Sequence, residues 1–68
     1  MVPDQTDNPS RERILTTAQK LFIEHGYHGL SMRQIAEAAA VSKAGIYYYF
    51  KDKEELFIAV LTRNLEHL

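Results

Sequence analysis

The sequence contains no cysteine. That excludes disulfide frameworks, thiolate zinc sites and cysteine nucleophiles, and is compatible with a reducing compartment. No run approaches the roughly 18 apolar residues of a membrane helix. The opening MVPDQTDNPS also lacks the basic and apolar regions of a secretory signal. A cytoplasmic location with no membrane partner is the expectation. There is no acid pair beside a histidine and no phosphate-binding loop, so nothing supports an enzyme, and no cofactor is expected. His25 and His28 straddle Gly26 with no further ligand at metal spacing, and no metal site is expected. Strand-like alternation, internal repeats and low-complexity tracts are missing as well. The formal net charge of −1 supplies no general attraction to a polyanion.

What is present is 68 residues, 46% hydrophobic and 25% charged. This is the composition of one small globular domain, burying only roughly 60% of the surface of its unfolded chain. Residues 1–9 hold both prolines and two aspartates with no apolar period, and read as a flexible leader. From about residue 10 to 25, Ile14, Leu15, Ala18, Leu21 and Phe22 recur at helical spacing. Gly26 is suited to follow this helix in the left-handed conformation. Ser31 and Gln34 form a capping box opening a second helix over about 32–39, with Ile35, Ala36 and Ala39 on one face. The small side chains permit close helix contact.

Ser42 caps a third helix, 43–49, in which Ile46 and Phe50 point inward. Asp52 and Glu55 open a fourth, 53–68, carrying Leu56, Phe57, Val60, Leu61, Leu65 and Leu68. Leu65 and Leu68 project beyond the first three helices. His67 sits near a helix C-terminus, where a partly charged imidazole suits the dipole. The expected fold class is all-α: a three-helix, homeodomain-like unit over 10–50 plus the start of a fourth helix.

Two short helices joined by a tight turn are the geometry in which the second enters the major groove. With Ile46 and Phe50 committed inward, Lys43, Ala44, Tyr47 and Tyr48 are the exposed positions of the third helix. Lys43 can donate to guanine O6 or N7, while the Ala44 methyl and the Tyr47 ring can pack on a thymine methyl. Ser31 and Ser42 place hydroxyls and helix-start amides where a phosphate can sit, and Gly45 allows close backbone approach. Lys53 opposes the dipole at the start of its helix, which a nearby phosphate would explain. Tyr47, Tyr48 and Tyr49 point about 100° apart, so they cannot all serve one surface. Between Ser31 and Lys53 four bases face two acids, a local charge of +2, with no acid between Glu37 and Asp52.

The segment SMRQIAEAAAVSKAGIYYYFKDKEELF resembles the N-terminal DNA-binding domain of the TetR family of bacterial repressors. The resemblance spans roughly Arg11 to Leu61. It rests on Gly26-Tyr27, Arg33 with Ile35-Ala36, Val41-Ser42-Lys43, Ile46-Tyr47, Phe50, and Lys53 with Leu56-Phe57. It implies a homodimer on a palindromic operator, base contacts from Arg33, Lys43, Ala44 and Tyr47, and phosphate contacts from Ser31, Ser42, Tyr48, Tyr49 and Lys53. Two positions depart from the family pattern: Ala40 stands where a turn glycine is usual, and Leu30 replaces a threonine before the second helix. The resemblance further implies a larger C-terminal domain that dimerises and binds a small-molecule inducer, against which Leu65 and Leu68 would pack. That domain has no counterpart here, so the chain reads as a fragment or excised domain. A helical-bundle module that binds protein through its tyrosines and fourth-helix leucines is the alternative reading.

Overall fold

The computed structural model describes residues 9–66. Residues 1–8 of the leader expected over 1–9, and His67 with Leu68, lie outside the described residues. Helix α1 spans Pro9–His25, α2 Met32–Ala38, α3 Lys43–Tyr49 and α4 Lys53–Glu66, with no strand among the described residues. The first helix begins one residue before the expected Ser10, at Pro9. A proline costs nothing there, because the first helical N–H has no partner within the helix. Helix α2 ends one residue early, with Ala39 as its C-cap.

The apolar residues predicted to face inward form one core. Ile14, Leu15, Ala18 and Phe22 of α1 are buried with Ile35 and Ala36 of α2, Ile46 of α3, Phe50, and Leu56 and Val60 of α4. Ile14, Ile35, Ile46 and Leu56 have no exposed surface, so every helix contributes a large, fully buried aliphatic side chain to the core. Leu21 and Phe57 pack against this core but are only partly buried. Further along α4, Leu61 and Leu65 are exposed.

Three junctions fix how the helices meet. Gly26 follows α1 at φ +78, and its amide donates to the Phe22 carbonyl at 2.8 Å, as expected of a residue that ends a helix in the left-handed region. After α2, the Val41 amide donates to the Ala36 carbonyl at 3.0 Å and the Ala40 amide to the Glu37 carbonyl at 3.2 Å. This pair of bonds is the Schellman closure. It places Ala40 at φ 60, the left-handed conformation that costs a side-chain-bearing residue about 1–2 kcal/mol. At the third junction Asp52 Oδ1 accepts from the Glu55 amide at 2.9 Å, and the Glu55 carboxylate accepts from the Lys51 amide at 2.6 Å.

Helix α4 packs mainly on α1, and α2 on both α1 and α3. Arg63 reaches across from α4 to Glu12 at 3.4 Å and to the Thr16 hydroxyl at 3.2 Å, both on α1.

Candidate nucleic-acid interface

The surface around the α2–α3 turn is built from two helix starts. Ser31 Oγ accepts from the Gln34 amide at 3.1 Å while Gln34 Oε1 accepts from the Ser31 amide at 2.8 Å, completing the capping box. Ser42 Oγ accepts from the Gly45 amide at 2.9 Å. In both caps the serine oxygen acts as acceptor, while the hydroxyl hydrogen is a donor. Both serines are exposed.

Helix α3 is seven residues long and presents two sides of opposite character. Ile46 is fully buried and, with Phe50 beyond the helix end, pins one side to the core. Lys43, Ala44 and Tyr47 are exposed and lie three and four residues apart, which puts them on a common face. Tyr48 is 81% exposed, and its ring meets that of Tyr49 edge-on at 5.0 Å. Tyr49 packs partly against the core, so it is the member of the tyrosine run directed inward.

Arg33 on α2 is exposed, with its Nε 3.4 Å from the Glu37 carboxylate. A guanidinium has five N–H donors, so this pairing leaves the terminal nitrogens able to form a bidentate contact. Such an exposed pair contributes little to stability. Arg33 and Lys43 line one shallow recess across the turn, together with Ala36, Glu37 and Val41. Arg33, Lys43, Ala44 and Tyr47 thus occur on adjoining parts of the α2–α3 surface.

Two of the expected contact positions have local partners. The Gly45 amide donates to Ser42 Oγ. A Cβ there would lie 3.0 Å from Ser42 Oγ, so the missing side chain also serves the cap. Lys53 does not wait on a phosphate to account for its position: Nζ donates to the Tyr27 carbonyl at 2.6 Å and the Leu30 carbonyl at 2.9 Å. It also stands 4.1 Å from the centre of the Tyr27 ring.

Some contributors were not evident from the sequence. Arg13 donates through Nε to the Ala39 carbonyl at 2.7 Å, holding the end of α2. Arg11 lies over the Phe50 ring at 5.1 Å. Leu30, which removes a hydroxyl from the expected phosphate surface, is buried, as is Met32. A hydrophobic staple between the residue before the cap and the fourth helical residue, Leu30 and Ile35, is the signal that could have placed Leu30. Among the described residues no group of histidines or acids is spaced to hold a metal ion, and no helix is long and apolar enough to cross a membrane.

Comparison with known proteins agrees with this architecture. The family model described as bacterial regulatory proteins, tetR family, matches residues 14–60. The transcriptional regulator RutR of Escherichia coli is 46% identical over 56 residues, which cover 82% of this chain and 26% of RutR. The transcriptional activator FasR of Mycolicibacterium smegmatis is 41% identical over 58 residues, covering 85% of this chain and 26% of FasR. The structure of the fatty acid degradation regulator FadR from Bacillus halodurans superposes with a TM-score of 0.85 at 32% identity, over 93% of this chain and 33% of that one. The chain therefore spans about a quarter to a third of the length of these relatives. They are regulators rather than enzymes. With the family model covering the core helices and both helix starts, the chain belongs to the tetR family of bacterial regulatory proteins, as its N-terminal helix-turn-helix DNA-binding domain.

Proposed function

We propose that this domain inserts α3 into the major groove and reads one half of a palindromic operator, with Arg33, Lys43, Ala44 and Tyr47 against base edges. Ser31, Ser42 and Tyr48 lie against backbone phosphates, Tyr49 reaches one only with its hydroxyl from a ring that leans on the core, and Gly45 allows that approach by having no side chain. The observation that carries the reading is the exposed Lys43, Ala44 and Tyr47 face of α3, opposite the fully buried Ile46. A helix pinned on one side and chemically varied on the other can present donors and methyl-packing groups to bases without unfolding.

The two heads needed for a palindrome come from a homodimer held by a further domain of the complete regulator, which also takes a small-molecule inducer. The exposed Leu61 and Leu65 of α4 support such a continuation, since together they leave apolar surface uncovered. The regulator works in the bacterial cytoplasm and represses, the sense in which AcnR of Corynebacterium efficiens is named, whereas FasR is named an activator. A promoter-reporter assay with and without the regulator separates the two signs.

The test of the reading head is selection from a randomised duplex pool. Arg33→Ala and Lys43→Ala are each expected to relax base preference at particular positions of the selected site. Unchanged preference in both would remove them from the base-contacting set.

A further inference from the structure

Between Ser31 and Asp52 the chain carries a single acid, Glu37, on the surface proposed to meet a polyanion. It lines the same shallow recess as Arg33 and Lys43. The fold gains little from it. An acid in the last turn of a helix opposes the helix dipole, and Glu37 is the last residue but one of α2. Its partner Arg33 lies one turn earlier, the order in which an i, i+4 pair stabilises a helix less. The Glu37 and Arg33 side chains are 68% and 80% exposed, so water screens their attraction in the free domain. Alanine, the best helix former, would serve α2 better at this position.

We infer that Glu37 is a positioning residue for base recognition: it holds Arg33 by Nε, so that the terminal nitrogens of the guanidinium are presented to a guanine. The Glu37 carboxylate lies 3.4 Å from Arg33 Nε. Of the five N–H donors of a guanidinium, that contact engages one and leaves those of the terminal nitrogens for a bidentate pair with guanine O6 and N7. A long side chain that is already held loses less freedom on docking. Against DNA the pair is also shielded from water, where its attraction strengthens. The same carboxylate repels phosphates, which disfavours dockings that bring the backbone rather than a base edge to Arg33. The inference rests on the DNA-binding reading above, with Arg33 as a base contact.

The test compares wild type, Arg33→Ala, Glu37→Ala and the Arg33→Ala/Glu37→Ala double variant, with helicity followed by circular dichroism. A site is selected from a randomised duplex pool with the wild-type chain, and the position whose base preference Arg33→Ala abolishes is identified. Each variant is then titrated with the selected duplex, with the same duplex substituted at that position, and with random-sequence duplex at one salt concentration. Glu37→Ala is expected to bind random duplex more tightly, because a charge of the same sign as the phosphates is gone. Its preference for the selected over the substituted duplex should nevertheless fall by about fivefold, the size of holding one long side chain in place. Preference at other positions of the site should not change. The double variant should discriminate no less than Arg33→Ala, because Glu37 acts only through Arg33.

Glu37→Ala binding that rises equally on all three duplexes would show a surface charge and nothing more, and would overturn the inference. A further loss of preference when Glu37→Ala is added to Arg33→Ala would overturn it as well, since the carboxylate would then meet a base itself, as by accepting from a cytosine amine. An Arg33→Ala chain that keeps the wild-type preference at every position would remove Arg33 from the base contacts and the inference with it. A wild-type chain that binds no duplex even at low salt would instead remove the DNA-binding reading itself.

Discussion

Arg13 Nε lies 2.7 Å from the carbonyl oxygen of Ala39, a residue 26 positions later in the chain. The final carbonyls of a helix have no partner within it, and here the arginine of α1 supplies one at the point where α2 gives way to the turn. Lys53 does the corresponding work at the other end of α2, on the carbonyl before its cap. Helix α2 is thus held at both ends by cations from the neighbouring helices. Arg13→Leu should lower stability by about 1–2 kcal/mol, because a charge-assisted bond is lost and the Ala39 carbonyl is left to find water. Urea denaturation measures it, and an unchanged midpoint would show that the bond contributes nothing.

Ala40 stands at φ 60 within a Schellman closure, where glycine carries no steric penalty. Ala40→Gly should stabilise the domain by about 1 kcal/mol, with the relief of strain exceeding the added freedom of the unfolded chain. For a domain of this size that raises Tm by about 4–8 °C. A lower Tm on thermal unfolding would contradict the assignment of strain.

Ile46 has no exposed surface and anchors α3 to the other helices. Ile46→Ala should cost about 2–4 kcal/mol through lost burial and the cavity left behind. That is a large share of the few kcal/mol available to a chain this short. The expected sign in a denaturant titration is an early, broad transition. A loss below about 1 kcal/mol would mean that α3 is held by something other than this contact.

Much of this arrangement was legible in the sequence. Recurring apolar residues gave the core faces of all four helices, and Ser31 with Gln34, Ser42, and Asp52 with Glu55 marked helix starts that the hydrogen bonds confirm. Those signals are local, and a residue and its partner sit within one turn. Arg13 and Lys53 were not legible in the same way, since Arg13 meets Ala39 and Lys53 meets Tyr27 and Leu30 only after the chain folds back on itself. The tyrosine run shows the boundary between the two cases. Helical geometry requires its three rings to diverge, but only packing decides that Tyr49 is the inward one.

Tyr47 is 44% exposed on the face shared with Lys43 and Ala44. Tyr47→Ala should weaken binding to a selected site by about 1–3 kcal/mol and narrow the gap between selected and random duplex, as loss of a base contact does. Competition binding with both duplexes reads the two quantities together. Equal losses on both would move Tyr47 to the phosphate set.

The surface from Ser31 to Lys53 is expected to meet duplex DNA, and an NMR titration of the labelled chain with duplex DNA at two salt concentrations tests this most directly. Amide shifts clustered from Ser31 to Lys53, and diminishing as salt is raised, are the predicted result. Shifts absent there at low salt, with the helices intact, would contradict it.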